Sequence, residues 1–101
     1  MTKCYYEMDG SRMFLHLQGH ASGSKTICAG ISAIVYALAG YIKNAESEER
    51  VNIYTMNLNS GNVELHITGD DRTEGAFESA IIGLKQIAEK YPDYLKIYDP
   101  E

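Results

Sequence analysis

The chain has 101 residues, 45% of them hydrophobic, and fourteen acidic against nine basic side chains give a formal net charge of -5. This length suits one domain, 1-101, that buries its own core. The acidic balance excludes a general nucleic-acid binder, which needs a basic surface.

Lys3 to Met8 alternates in polarity, Asp9-Gly10 intervenes, and Arg12 to Gln18 alternates again. Asp-Gly between two such runs predicts a hairpin, because both turn positions favour positive φ. In the second strand Met13, Leu15 and Leu17 share one face and Phe14, His16 and Gln18 the other. The strand runs into Gly19-His20, which places His20 at its end. Ala21 to Lys25 is small and polar and reads as a mobile loop. A helix over Ile27 to Lys43 follows, with Ile27, Ile31, Ile34, Val35, Leu38 and Ile42 at helical spacing. Its remaining positions are mostly Ala and Gly, so the helix is expected to be buried nearly all round and closely approached by another element. The uncharged run Thr26 to Ile42 reads as too short for a membrane span.

Asn44 to Arg50 is charged and reads as a solvated connection. Val51 to Leu58 and Val63 to Thr68 form a second hairpin about Asn59-Ser60-Gly61-Asn62. A second helix starts with Asp71 or Thr73 as its cap and runs to about Lys90, where Pro92 enforces its end. Phe77, Ala80, Ile81, Leu84, Ile87 and Ala88 form its buried stripe, and Tyr94 to Tyr98 is a candidate last strand. The order is ββαββα with a possible final β. The fold class is α+β: two hairpin-plus-helix units forming a small, mainly antiparallel sheet packed with two helices.

Two groups of complementary chemistry stand close together in this order. Cys28 lies near the first turn of a helix, where unpaired N–H groups and the helix dipole favour a thiolate. Free cysteines are also often simply buried. His20, at a strand end seven residues earlier, has enough connecting chain to fold back onto the thiol. An imidazole beside a thiol supplies the acid and base of nucleophilic catalysis. Ser32, four residues after Cys28, shares its helix face and either hydrogen-bonds the thiol or loop or back-bonds to its own helix. Cys4 reads as a packing residue. His16 and His66 lie in alternating strands without metal-ligand spacing, so no metal is expected. No nucleotide-binding glycine motif occurs, and no cofactor is expected. The two cysteines make no disulfide framework, and the first residues read as a strand and not a secretory segment. A cytoplasmic setting with both thiols free is therefore expected.

Gly19-His20-Ala21, a glycine-containing loop, Ile27-Cys28-Ala29 and Ile31-Ser32-Ala33 resemble the signature of the ribosomal-processing cysteine protease family, Prp. The likeness extends to both hairpins and to Tyr91-Pro92-Asp93-Tyr94-Leu95. It implies a homodimeric bacterial protease of small α/β fold that removes the N-terminal extension of a large-subunit ribosomal protein, or cuts related phage capsid or scaffold proteins. The resemblance assigns Cys28 as nucleophile and His20 as proton acceptor and donor. Gly19, Ala29 and Ser32 become supporting residues, and Ser22, Gly23, Ser24 and Lys25 a flexible substrate loop. Such enzymes cut after paired aromatic residues and before a small one. The partner is then a protein or peptide substrate, with no direct nucleic acid and no membrane. Two departures stand out: the loop is shorter than usual, and Lys25 occupies a position usually held by Asp. Asp70 or Asp71 is a candidate replacement for that acid. A non-catalytic, ribosome- or capsid-associated peptide-binding module is the second reading. A thiol redox or acyl-transfer enzyme ranks last, for want of a second nearby cysteine.

Overall fold

The computed structural model describes residues 1–100 and places the elements in the expected order. They are β1 (Thr2–Asp9), β2 (Arg12–Gln18), α1 (Lys25–Ser47), β3 (Val51–Asn59), β4 (Asn62–Gly69), α2 (Asp71–Lys90) and β5 (Leu95–Tyr98). The strands form one five-stranded sheet in the order β3-β4-β2-β1-β5. Three of its pairings are antiparallel, and β5 joins β1 in parallel.

Alternation decides which face is covered. Met13, Leu15 and Leu17 of β2 and Leu65 and Ile67 of β4 are buried, together with Cys4 and Leu95. They form one core with the inner stripes of α1 and α2. The opposite face keeps a row of rings: Tyr5 stacks on Tyr98 at 4.7 Å, and Tyr54 and Phe14 flank His66.

The helices meet where side chains are missing. A Cβ on Gly83 of α2 would stand 3.1 Å from Ile34 of α1, and one on Gly30 of α1 would stand 3.7 Å from Ile87. The expected close approach of another element is therefore made by α2. The expected all-round burial of α1 is not found. Ile27, Ile31, Val35, Leu38, Ala39, Ile42 and Ala45 are buried, while Ala29, Ser32, Ala33, Tyr36, Ala37 and Gly40 are exposed. One sheet and one neighbouring helix cannot cover a whole cylinder.

The helix is also longer than its apolar run. It has 23 residues, and by length and composition alone it is long and apolar enough to cross a membrane, which corrects the expectation from Thr26 to Ile42. In this fold it packs on the sheet. Buried Ala45 carries α1 beyond Lys43 to Ser47, into the expected connection. Its end is a Schellman turn: Glu49 takes a positive φ of 61°, its N–H donates to Glu46, and the Arg50 N–H donates to Ala45. The cap of α2 is Asp70, one residue before the expected Asp71, because its carboxylate accepts from both the N–H and the hydroxyl of Thr73. Thr73 itself is fully buried.

Candidate active site

The central pairing of β2 with β4 sets the site. Gln18 at the end of β2 faces Asn62 at the start of β4. The turn of the second hairpin therefore lies beside the segment that leaves the first. Gly19, at φ 88°, donates its N–H to the carbonyl of Gly61 at 2.9 Å. A Cβ on Gly19 would stand 2.6 Å from the Met1 carbonyl oxygen, so a bare Cα is needed for the start of β1 to pass. The next residue is His20, as expected at the strand end. Its ring lies over Gly61, close enough that a Cβ there would stand 2.6 Å from Nε2.

Ala21 turns the chain into α1. Its side chain is buried, and its carbonyl accepts from the Ser24 N–H at 3.2 Å and from the Cys28 thiol at 3.5 Å. Ser24 is the helix cap, with its side chain accepting from the Ile27 N–H at 3.2 Å. Ser24 and Lys25, expected in the loop, thus belong to the cap and first turn of α1. Ser22 and Gly23 remain exposed. Cys28 is half-buried, and its own N–H already donates to the Ser24 carbonyl. The first-turn donors without an intrahelical acceptor are those of Lys25 and Thr26.

His20 and Cys28 face one cavity of about 230 Å³. Gly19 and Ser32 line it as well, whereas Ala29 and the Ser22–Lys25 segment do not. One wall is apolar, built from Leu17, Ile31, Val35, Tyr36, Leu58 and Val63, and another is the turn Asn59–Asn62. Tyr36 is 61% exposed and stands at the rim. Imidazole and thiol share the cavity without a hydrogen bond between them: the thiol is turned to Ala21 and the ring rests on Gly61. Ser32 makes no side-chain hydrogen bond among the described residues, so neither expected partner is engaged.

Among the described residues no carboxylate lines the cavity. Asp70 and Asp71 follow β4 at Gly69, which pairs near Arg12 and Ser11 at the start of β2. That is the far end of the sheet, roughly 20 Å from His20 by strand rise, so neither aspartate replaces the missing acid. Asp70 is held instead by Arg50 and Thr73. Cys4 is fully buried, as expected of packing, and burial pushes its thiol up to about 12. His16 meets Asn62 at 3.0 Å, and His66 packs among aromatic rings.

Nothing local in the sequence marks the turn Asn59–Asn62 as part of the site, yet it and Tyr36 line the cavity. Gly61 is a turn residue by sequence, and only the β2–β4 pairing brings it under an imidazole. Tyr36 follows Ser32 by one helical turn, and that spacing alone would have placed it on the same face.

The model of the cysteine protease Prp family matches residues 1–96. The chain belongs to this family. It is accordingly a cysteine protease, which decides against the non-catalytic module. No match is found among curated proteins. The fold is similar to that of the ribosomal processing protease Prp from S. aureus, solved with a covalently linked product peptide, at TM-score 0.76 and 18% identity over 99% of this chain and 100% of that one. The same S. aureus protease solved with a substrate peptide gives 0.69 and 15% over 99% and 100%. SMU.848 from Streptococcus mutans gives 0.68 and 19% over 98% and 93%. Within the Prp family, then, this chain has the fold and places a histidine and a cysteine on one cavity.

Proposed function

We propose that the chain removes the N-terminal extension of a large-subunit ribosomal protein, or trims a related phage capsid or scaffold protein, with a Cys28–His20 dyad. The observation that carries this reading is the cavity shared by the half-buried thiol and the imidazole. The S. aureus protein of the same fold is a ribosomal processing protease solved with product and substrate peptides.

Binding of an extended peptide along the cavity turns the thiol from Ala21 toward the ring, which stays on Gly61; catalytic hydrogen bonds are often loose before substrate binds. The Cys28 sulfur, its proton held on His20, attacks the scissile carbonyl carbon. The oxyanion forms beside Cys28 near the N-terminus of α1, whose dipole favours negative charge. His20 then gives its proton to the departing amine as the C–N bond breaks, leaving a thioester on Cys28. Water, deprotonated by His20, hydrolyses the thioester and restores the thiol. The apolar wall from Leu17 to Val63 suits an aromatic residue before the cut.

Two further parts of the reading are a cytoplasmic location and a homodimer. The dimer would use the exposed, uncharged face of α1 around Ala33, Tyr36, Ala37 and Gly40, and light scattering in solution tests it. The function itself is tested with a peptide carrying two aromatic residues followed by a small one. Native protein cleaves it at that junction. Cys28→Ala retains the fold and loses cleavage, and activity surviving that substitution would end the assignment.

A further inference from the structure

The cavity holds an imidazole with no carboxylate among the described residues to orient it, which raises the question of what fixes the ring. Two features of one residue answer it. The Gly61 carbonyl accepts the Gly19 N–H at 2.9 Å, tying down the backbone next to His20. The bare Cα of Gly61 also carries the ring: an added Cβ would lie 2.6 Å from Nε2, 3.0 Å from Cε1 and 3.2 Å from Cδ2. Three ring atoms within that range mean that the imidazole occupies the volume a side chain would take. Resting on the proposed role of His20, we infer that Gly61 is the positioning residue for the His20 imidazole, seating the ring in the place of its absent side chain.

A tight hairpin turn prefers glycine for its φ alone. The first hairpin supplies the control. Gly10 has a φ of 59°, close to the 74° of Gly61, yet nothing lies within 4 Å of the position its Cβ would take. Left-handed strain is therefore common to both turns, and the seat belongs to one. Asparagine tolerates positive φ far better than alanine, so it separates strain from displacement.

The test compares Gly61→Ala and Gly61→Asn with Gly10→Ala and Gly10→Asn, and includes His20→Ala. The readouts are melting temperature, kcat and KM on the aromatic–small peptide, and the His20 Cε1–H NMR resonance, assigned by its loss in His20→Ala. Both Gly61 variants are expected to move that resonance and to lower kcat on the order of 100-fold, the cost of misplacing a catalytic group by about 1 Å. KM and melting temperature should change no more than in the matching Gly10 variants, which keep native kcat and the native resonance. Should Gly61→Ala fail to fold, Gly61→Asn gives the same comparison without the strain. An unmoved resonance, or equal kcat losses at positions 10 and 61, overturns the inference. Cleavage surviving in His20→Ala overturns the catalytic reading instead, and the resonance still decides whether Gly61 seats the ring.

Discussion

At the end of the sheet where β3 begins, Arg50 donates to Tyr41, to Glu48 and to both carboxylate oxygens of Asp70, while Asp70 also accepts from the N–H and hydroxyl of Thr73. At the end where β2 runs out, His20 has no hydrogen-bonded side-chain partner among the described residues, and Cys28 has one long bond to a carbonyl. Both ends gather polar groups around a helix N-terminus: α2 at the first, α1 at the second. The first engages most of them in holding β3, α1 and α2 together, with only the buried Arg50 Nε left without a partner among the described residues. The second leaves them facing a cavity. Polar groups tied up between packed elements are structure, and those left with spare capacity beside a cavity are free for chemistry.

The largest effects should separate the two ends. His20→Ala is expected to lower kcat/KM by at least about a thousandfold, and adding Cys28→Ala to cost little more than Cys28→Ala alone, because the pair acts as a unit. A steady-state assay of the single and double variants checks this. Neither substitution should lower the melting temperature appreciably. Asp70→Asn should do the reverse. It lowers the melting temperature and leaves kcat/KM within about twofold, since sites this far apart rarely couple; a large loss of activity with an unchanged fold would join the two ends and break the comparison.

Titration should separate them too. The bonds from Thr73, followed by those from Arg50, hold the Asp70 carboxyl down at about 2. A depressed value means that its contribution to stability is present above the ordinary carboxylate range and is lost as pH falls through about 4 toward about 2. Denaturant melts across that window should show the loss, and Asp70→Asn should flatten the profile. Cys4 works in the opposite direction. Its thiol is raised from 9.0 to about 12 by burial. Its contribution is therefore complete below 9 and is lost as pH rises toward 12. Cys4→Ala should remove that alkaline slope. The smallest effect concerns Glu49, a non-glycine residue in the left-handed turn that ends α1. Glu49→Gly should raise stability by about 1 kcal/mol without touching kcat, as read by chemical denaturation.

Much of this layout was legible in the sequence because it is local. Asp9-Gly10, alternating polarity and the Ile27-to-Ile42 stripe specify their elements through nearest neighbours, and they place His20 at a strand end and Cys28 near a helix start. What was missed is long-range or depends on side chains. Nothing near Val63 announces that β4 lies beside β2, so the turn at Gly61 was not read as part of the site. Asp71 and Thr73 are as good caps as Asp70 by composition, and Arg50 across the chain helps decide between them. The end of α1 was misplaced because Glu49 does the work usually given to glycine. That the thiol and imidazole lie at the ends of neighbouring elements was legible, but their present partners, Ala21 and Gly61, were not.

The most direct measurement is the rate at which iodoacetamide labels each cysteine of the folded protein near neutral pH, followed by mass spectrometry in the native chain and in His20→Ala. Cys28 should label readily and Cys4 only on unfolding, and His20→Ala should slow Cys28 by at least about tenfold while leaving Cys4 silent. Equal Cys28 rates with and without His20, in a chain that still melts normally, would contradict the claim that this cavity pairs the two groups for catalysis.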